Sequence, residues 1–368
     1  MIEVWREAVL EAPEAYVAWG GLLIGLVFGF IVYRTNFCTM GSISDIVNFG
    51  DYRRFRTWLL AAAVAIAGAQ LFQLLGAVDL SASMYLGANL TWLGNVLGGA
   101  IFGFGMVLAG GCVSRNLVRL GGGDLGSLVI LIVVGIFAYM AIGGILGPIR
   151  AAIVPFGQVE LQPLGAETQS MAAILSAITG GDSGTLSMVV AGALLAGILA
   201  YCFKDSDFRT SPLHIGAGVG IGLCVIAGWV LTGLAFDEFA DTPMQPVSLT
   251  YVRPAGDTTE YLTRFTALGL PGFGVVTVFG AIAGAFLGAL SMKRFRLTGF
   301  ANVSDMLQNL GGAALMGIGG VMALGCTVGQ ALTGLSTLAA GSLITFVFIV
   351  AGGYGGVKYM EWKIMRQA

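Results

Sequence analysis

Long apolar stretches separated by short polar segments run through almost the whole chain. Several carry no ionisable side chain and exceed the length of a typical helix in a soluble protein. A helix that crosses a bilayer needs about 17–25 predominantly apolar residues. The pattern therefore predicts an all-α, polytopic integral membrane protein with about nine spans. The predicted spans are residues 17–33, 57–78, 90–111, 125–147, 185–203, 212–235, 273–291, 309–325 and 340–357.

The composition supports a membrane protein. Hydrophobic residues make up 57% of the chain and charged residues 10%, whereas a soluble domain averages roughly 25% charged residues. Glycine occurs 58 times in 368 residues, more than twice its usual share of roughly 7%. Small residues let helix backbones approach closely in lipid, so we interpret the glycine stripes as helix-packing surfaces. The stripes are Gly21, Gly25 and Gly29, and Gly216, Gly218, Gly220 and Gly222.

The first 16 residues differ from the rest because they carry four glutamates. A secretory signal peptide would instead begin with a basic segment. We expect residues 1–16 to form an amphipathic segment on the membrane surface, with Trp5 and Tyr16 at the interface. Residues 17–358 are then expected to form a single transmembrane domain, and residues 359–368 a cytoplasmic tail.

Lysine and arginine are concentrated in a few loops, and this predicts the orientation. Cytoplasmic loops are enriched in these two residues. The basic loops share one face if the N-terminus lies outside an inner (cytoplasmic) membrane and the C-terminus lies in the cytoplasm. The loops at 148–184 and 236–272 then face outward, and both are acidic. The basic residues are Arg34, Arg53, Arg54, Arg56, Lys204, Arg209, Lys293, Arg294, Arg296, Lys358, Lys363 and Arg366.

A weak internal repeat indicates two related halves, at about 17–147 and 212–357. The segment that begins at Arg34 matches the segment that begins at Arg294, and the segment around Cys112 matches the one around Cys326. Two related halves around a central site are common in secondary transporters.

The two matches conflict, because counting spans puts Cys112 and Cys326 at opposite faces but Arg34 and Arg294 on the same face. Both observations hold if four short apolar pieces are re-entrant. These pieces are residues 37–49, 113–120, 299–308 and 327–337.

The five cysteines fall into two groups, and no two of them are spaced as C-x-x-C. Cys202 and Cys224 lie inside apolar runs, where a free cysteine behaves as a small hydrophobic residue. Cys38, Cys112 and Cys326 each stand where an apolar run breaks at glycine or polar residues. Irregular backbone is tolerated at membrane depth only where it lines a cavity or is buried in protein.

A thiol at the start of a helix is suited to a small anion. Free backbone N–H groups and the helix dipole favour an anion there, and the S–H group is a weak donor that matches a soft acceptor such as a terminal sulfur. The three cysteines could therefore lie on a solute path. Packing roles and ligation of a soft metal are the alternatives.

These cysteine contexts resemble the YeeE/YedE family of sulfur-transport membrane proteins. The likeness rests on the glycine-rich span before Cys112, the Gly-Gly-Gly-Asp-Leu-Gly-Ser segment that follows it, and the segment from Gly299 to Cys326. It implies an hourglass-like bundle whose short broken helices converge on a constriction. It also implies that the thiols of Cys38, Cys112 and Cys326 pass thiosulfate by hydrogen bonds, and that a cytoplasmic TusA-like sulfurtransferase accepts the sulfur.

Other polar residues near the cysteine breaks are secondary candidates. Arg115 could draw an anion towards the mouth of the path or only obey the positive-inside rule, and Arg34 could form a structural ion pair with Asp45. Asn116 and Gln330 occupy matched repeat positions and could bind the solute or cap a short helix. The glycines before two of the cysteines, Gly111 and Gly325, complete the set.

Several other functions fit the sequence less well. A membrane redox enzyme would need haem-ligating histidines or paired cysteines, and the single histidine, His214, does not provide them. The glycine-rich segment lacks the Lys-Ser/Thr ending of a phosphate-binding loop. A transporter of selenium compounds or soft metal ions, or a membrane scaffold, stays open. We therefore expect uptake of a small sulfur oxyanion, most simply thiosulfate, by a protein that is not an enzyme and needs no cofactor, metal or nucleic acid.

Overall fold

The computed structural model describes residues 2–240 and 243–367. Apart from one pair of two-residue strands that are distant in the chain, the structure consists of helices and connecting loops. The helices are α1 (Ile2–Leu10), α2 (Pro13–Thr35), α3 (Thr39–Phe49), α4 (Arg53–Leu74), α5 (Trp92–Leu108), α6 (Val113–Gly121), α7 (Leu125–Ile142), α8 (Gly147–Ile153), α9 (Met171–Thr179), α10 (Ser183–Phe203), α11 (Ser206–Arg209), α12 (Pro212–Leu234), α13 (Val252–Thr263), α14 (Phe265–Leu268), α15 (Phe273–Ser291), α16 (Val303–Met322) and α17 (Ala340–Gln367).

Shorter elements lie in the connections. Strands β1 (Asn89–Leu90) and β2 (Val159–Glu160) pair antiparallel, with Asn89 opposite Glu160. Single turns of 3₁₀ helix cover Leu80–Ala82 and Gln162–Leu164, and a π-helix covers Gly329–Gly334.

All nine apolar stretches predicted to cross the membrane form helices. Eight helical segments are long and apolar enough to do so: those built on α2, α4, α5, α7, α10, α12, α15 and α17. The ninth is α16, which is less apolar because Asp305, Gln308 and Asn309 lie in its first turns. The protein is therefore an all-α, multi-pass membrane protein.

Glycine contacts show how the long helices pack. Helices α2 and α15 run parallel in close contact: a Cβ added at Gly25 would lie 2.6 Å from the backbone oxygen of Thr277. Helices α5 and α16 run antiparallel, because Gly98 faces Gly319 whereas Gly105 faces Gly312. The glycine stripes therefore act as packing surfaces, with the exception of Gly216, which faces open space.

The loops between the helices define two opposite faces. We name the basic face after the start of α4 and the loops α10–α12 and α15–α16, which carry lysines and arginines. We name the acidic face after the loops between α7 and α10 and between α12 and α15, on the other side. Counting α16, which runs antiparallel to α5, as a crossing together with the eight apolar segments places α1 at the acidic face and the end of α17 at the basic face.

The segments α5–α6–α7 and α16–α17 have the same construction. In each, a long helix ends shortly before a cysteine, a short helical segment follows, and a second long helix begins. The two long helices that precede the cysteines run in opposite directions. Cys112 therefore approaches the middle from the basic face and Cys326 from the acidic face.

Four details differ from the sequence-based expectations. Residues 37–49, 113–120 and 327–337 contain short helices, but 299–308 is no separate piece because α16 already begins at Val303 and continues to Met322. The predicted tail is not separate from the last span, since α17 continues to Gln367. Asp45 pairs with Arg54 at 3.2 Å, so the expected Arg34–Asp45 ion pair is wrong.

The fourth difference concerns the acidic loop 236–272, which is not simply a surface loop. Leu249 and Tyr251 are fully buried, and α13 packs against α7, α15 and α16. The apolar run Val247-Ser-Leu-Thr-Tyr-Val enters the bundle and becomes a wall of the central region.

Candidate functional site

The three cysteines that follow a break in an apolar run, Cys38, Cys112 and Cys326, share one local geometry. Two residues before each of them, the backbone is left-handed: φ is 53° at Asn36, 71° at Gly110 and 58° at Leu324. A left-handed residue ends a helix and turns the chain, and it favours glycine or asparagine. The turn brings each cysteine to the start of a new helical segment.

The side chains of Cys38 and Cys326 cap the helical segments that follow them. Cys38 precedes α3 and its sulfur accepts the N–H of Gly41 at 3.4 Å. Cys326 accepts the N–H of Gly329 at the same distance, and the N–H groups of Val328 and Tyr251 also point towards it. Each sulfur therefore lies in a field of backbone N–H groups, which favours a partial or full negative charge nearby.

The Cys112 side chain lies where the segments around Cys38 and Cys326 meet. Its Sγ lies 3.3 Å from the Ser114 hydroxyl, and the side chains of Cys38 and Thr327 lie beside it. Cys38, Cys112 and Cys326 are 5%, 1% and 0% exposed. The structure thus brings Cys38, Cys112 and the Cys326–Thr327 pair together in the middle of the bundle.

Asn116 and Gln330 hold the backbone of the cysteine breaks. The amide nitrogen of Asn116 donates to the carbonyls of Gly111 at 2.9 Å and Cys112 at 3.1 Å, and its oxygen accepts from Ser127 at 3.1 Å. Gln330 donates to the carbonyl of Ala323 at the end of α16. The carbonyl of Gly111, after the end of α5, and the carbonyl of Ala323, at the end of α16, thus each gain a side-chain donor. Their matched positions support a shared structural role.

A large cavity opens on the acidic face. Its volume is about 790 Å³, and Leu324, Gly325 and Thr250 form its floor next to Cys326. At the wall of this cavity, the Tyr139 hydroxyl lies 2.7 Å from one carboxylate oxygen of Asp257 and 2.7 Å from one of Glu260. Burial raises the pKa of Asp257, whereas hydrogen bonds from Tyr139 and Arg264 lower the pKa of Glu260.

A smaller pocket of about 330 Å³ opens on the basic face; we call it the arginine pocket. Arg115 forms part of its wall and donates to the Asn36 side chain at 3.1 Å, two residues before Cys38. Gly111 provides the space for Arg115, because a Cβ there would lie 2.8 Å from its Cγ. The pocket is lined by Tyr33, Asn36, Arg115, Val118, Arg119, Gly122, Asp124, Arg294, Arg296 and Thr298.

The remaining residues considered from the sequence lie away from the three central cysteines and the two cavities. Arg34 is exposed and its guanidinium lies over the Phe30 ring at 5.5 Å. Cys202 donates to the carbonyl of Arg56, and Cys224 is buried within α12. His214 bonds Ser211 at the start of its span, as a packing or capping residue would.

The hydroxyls beside the cysteines were not singled out from the sequence. Thr39 and Thr327 directly follow Cys38 and Cys326, and Tyr251 lies beside Cys326. All three are buried, and their hydroxyls make no hydrogen bond of standard geometry to the described residues. The repeated Cys-Thr dipeptide was the signal that could have found two of them.

Two cavities on opposite faces, with broken helices meeting between them, define a membrane transport protein. Comparisons with known proteins identify the family. Residues 34–355 match the sulphur transport family, so the chain belongs to this family, known as YeeE/YedE. Its members are transporters and not enzymes. The protein therefore transports a sulfur compound.

Two relatives share nearly the full length of the chain. The thiosulfate transporter TsuA of Escherichia coli K12 is 28% identical over 347 residues, which cover 90% of this chain and 91% of the relative. The thiosulfate transporter TsuA of Spirochaeta thermophila is 27% identical over 356 residues, which cover 95% of this chain and 99% of the relative.

Proposed function

We propose that this protein takes up thiosulfate across the cytoplasmic membrane, from the acidic face to the basic face. The observation that carries the proposal is the meeting of the two breaks: the side chains of Cys38 and Thr327 both lie beside Cys112. The names of the two TsuA relatives support thiosulfate as the solute.

The proposed path follows the contacts in order. The anion enters the large cavity, whose floor at Gly325 adjoins Cys326. It then passes from the thiol of Cys326 to Cys112 and Cys38, and leaves near Asn36 and the arginine pocket. Thiol hydrogen bonds are weak, and conduction needs sites that bind a solute well enough to admit it and weakly enough to release it.

Backbone N–H groups replace water around the anion along this path. Cys38 and Cys326 each already accept one N–H, and the unpartnered hydroxyls of Thr39, Thr327 and Tyr251 add donors. A path of neutral donors stabilises a dianion without the fixed positive charge that would trap it.

Growth on thiosulfate as the sole sulfur source tests the proposal in a strain that lacks its own thiosulfate and sulfate importers. The chain should restore growth, and Cys38→Ala, Cys112→Ala and Cys326→Ala should each abolish it at equal membrane abundance. Cys202→Ala and Cys224→Ala are matched controls, since they also remove a buried cysteine, and should retain growth.

Two other outcomes would change the conclusion. If the inserted wild-type chain does not restore growth, thiosulfate is not its solute, and selenium compounds or soft metal ions become the next candidates. If all five variants restore growth, the protein remains a thiosulfate transporter but the cysteine path is wrong.

We also propose a TusA-like sulfurtransferase as the cytoplasmic acceptor, because the family resemblance implies one and the path ends at the basic face. The two proteins should co-purify from membranes. Uptake in cells should fall when the acceptor is deleted, and unchanged uptake would argue against the partnership.

A further inference from the structure

The arginine pocket holds more positive charge than its own residues neutralise. Four arginines and one aspartate line it, which leaves a formal charge of +3 (four minus one). Asp124 pairs with Arg119 at 2.6 Å. In the described part of the chain, Arg115, Arg294 and Arg296 form no salt bridge.

The loop that carries two of these arginines is fixed by backbone hydrogen bonds. Arg296 N–H donates to the Gly122 carbonyl at 3.2 Å, and Thr298 N–H donates to the Gly123 carbonyl at 3.0 Å. Leu125 N–H returns a bond to the Thr298 carbonyl at 2.9 Å. The α15–α16 loop is therefore hydrogen-bonded to the turn between α6 and α7. Arg294 and Arg296 thus lie on a loop whose backbone is fixed.

The residues of the α6–α7 turn allow this attachment. Gly123 has a φ of 102°, and a Cβ there would collide with the carbonyl of Arg296. The carboxylate of Asp124 accepts the N–H of Gly126 at the start of α7 at 3.0 Å as well as pairing with Arg119. Asp124 is thus already paired within the protein. The guanidinium groups of Arg115, Arg294 and Arg296 remain without a carboxylate partner among the described residues of the pocket.

Guanidinium groups recognise tetrahedral oxyanions through paired N–H donors, and several together favour a dianion. The volume of about 330 Å³ exceeds a water molecule's share of roughly 30 Å³ about tenfold, which is room for a small anion and some water. We propose that the arginine pocket is a second anion site, which binds a small tetrahedral dianion through Arg115, Arg294 and Arg296. It follows the cysteines on the path and receives the transported anion; this placement rests on the proposed function.

The same chemistry would also bind sulfate or phosphate from solution, which supplies a probe independent of transport. Sulfate binding to the purified protein is measured by isothermal titration calorimetry at low ionic strength. The wild-type protein should bind sulfate saturably, and the Arg294→Gln/Arg296→Gln double variant should bind at least tenfold more weakly. Both side chains are exposed, so the variant should fold normally.

Two controls accompany the titration. Lys204→Gln/Arg209→Gln removes the same charge from exposed positions in another loop of the basic face and should leave the affinity within twofold. Cys202→Ala/Cys224→Ala removes two buried thiols that lie off the path and should also leave sulfate binding unchanged. An absence of saturable binding, or equal binding by the Arg294→Gln/Arg296→Gln variant, would overturn the site.

Uptake into right-side-out membrane vesicles tests the place of the pocket on the path. Sulfate trapped inside should slow thiosulfate uptake severalfold in the wild type and much less in the Arg294→Gln/Arg296→Gln variant. Uptake that internal sulfate does not slow, together with normal sulfate binding, would assign the pocket to cytosolic anions and remove it from the path. Because the calorimetry needs no transport, it stands even if thiosulfate is not the solute.

Discussion

At the scale of single residues, the buried polar groups around Cys112 divide into two kinds. The side-chain nitrogen of Asn116 donates to the backbone, whereas the hydroxyl of Thr327 has no partner of standard geometry among the described residues. A buried polar group without a partner costs free energy and needs an explanation. Structural residues and solute-binding residues should therefore respond in opposite ways to substitution.

Replacing Asn116 by leucine should destabilise the protein and abolish transport. The buried Gly111 carbonyl loses its side-chain donor, whereas the Cys112 carbonyl keeps the backbone N–H of residue 116, and an unsatisfied buried group costs about 1–3 kcal/mol. Thermal unfolding in detergent and thiosulfate uptake measure the two effects. Asn48→Leu is the control, since Asn48 is exposed and its side chain donates to the Ser44 hydroxyl rather than to a buried carbonyl. An Asn116→Leu protein with wild-type stability would contradict the structural role.

Replacing Thr327 by valine should reduce transport without loss of stability. The variant removes a hydroxyl that makes no standard hydrogen bond to any described residue, so the free energy of unfolding should stay equal or rise, while the KM for thiosulfate rises severalfold. Thr345→Val is a matched control, because Thr345 is equally buried and also unpartnered. Unchanged uptake by Thr327→Val would remove this hydroxyl from the path.

At the scale of helices, close backbone contact is what holds the bundle together. In lipid there is no hydrophobic driving force between helices, so van der Waals packing of small residues takes its place. Helices α2 and α15 meet along Gly25 and Gly29 on one side and Gly280 and Gly284 on the other.

Adding a methyl group at Gly25 should therefore push two helices apart. The new Cβ would lie 2.6 Å from the Thr277 carbonyl oxygen, and overpacking of this kind costs about 1–3 kcal/mol. Gly216→Ala on α12 adds the same group to open space and should be neutral or slightly stabilising. Melting temperatures in detergent compare the two, and equal melting temperatures would argue against close packing of α2 on α15.

The docking of α13 should depend on pH through Asp257. Burial raises the pKa of this carboxyl above its ordinary value of about 3.9, because the folded protein disfavours the ionised form. Its contribution to stability is thus present below about pH 4 and is lost as the pH rises through the raised pKa.

Asp257→Asn should remove this loss of stability at higher pH. The melting temperature of the variant, relative to the wild type, should increase between pH 4 and pH 7 and then level off. Asp182→Asn is the comparison: bonds to Thr185 lower the pKa of Asp182, so its contribution to stability is lost only as the pH falls below about 4, and the difference between this variant and the wild type should stay constant from pH 4 to pH 7. A constant difference across this range for Asp257→Asn would contradict the raised pKa.

At the scale of the whole molecule, orientation follows from the loops. The basic face carries most of the lysines and arginines, and cytoplasmic loops are enriched in these residues. We expect the acidic face to lie outside.

Labelling with a membrane-impermeant maleimide tests this orientation. The five native cysteines are buried, so background labelling should be low. Glu167→Cys, in an exposed loop of the acidic face, should react in intact cells. Arg209→Cys, on the basic face, should react only after permeabilisation. The reverse pattern would invert the proposed direction of transport.

The sequence by itself determined the class of protein and its spans. All nine apolar stretches became helices, because the number of apolar residues needed to cross lipid is set by bilayer thickness and does not depend on neighbouring helices. Helix starts after Cys38 and Cys112 could also be expected, since the glycine and polar residues before them interrupt the apolar pattern.

Tertiary structure alone decided which residues meet. Cys112 lies beside Cys38 and Thr327 only because α5 and α16 run antiparallel and their breaks reach the same depth. Arg54, and not Arg34, became the partner of Asp45, and the 236–272 loop entered the bundle. Span length and local turns depend on residues close in the chain, whereas pairing depends on distant segments whose separation the sequence pattern does not record.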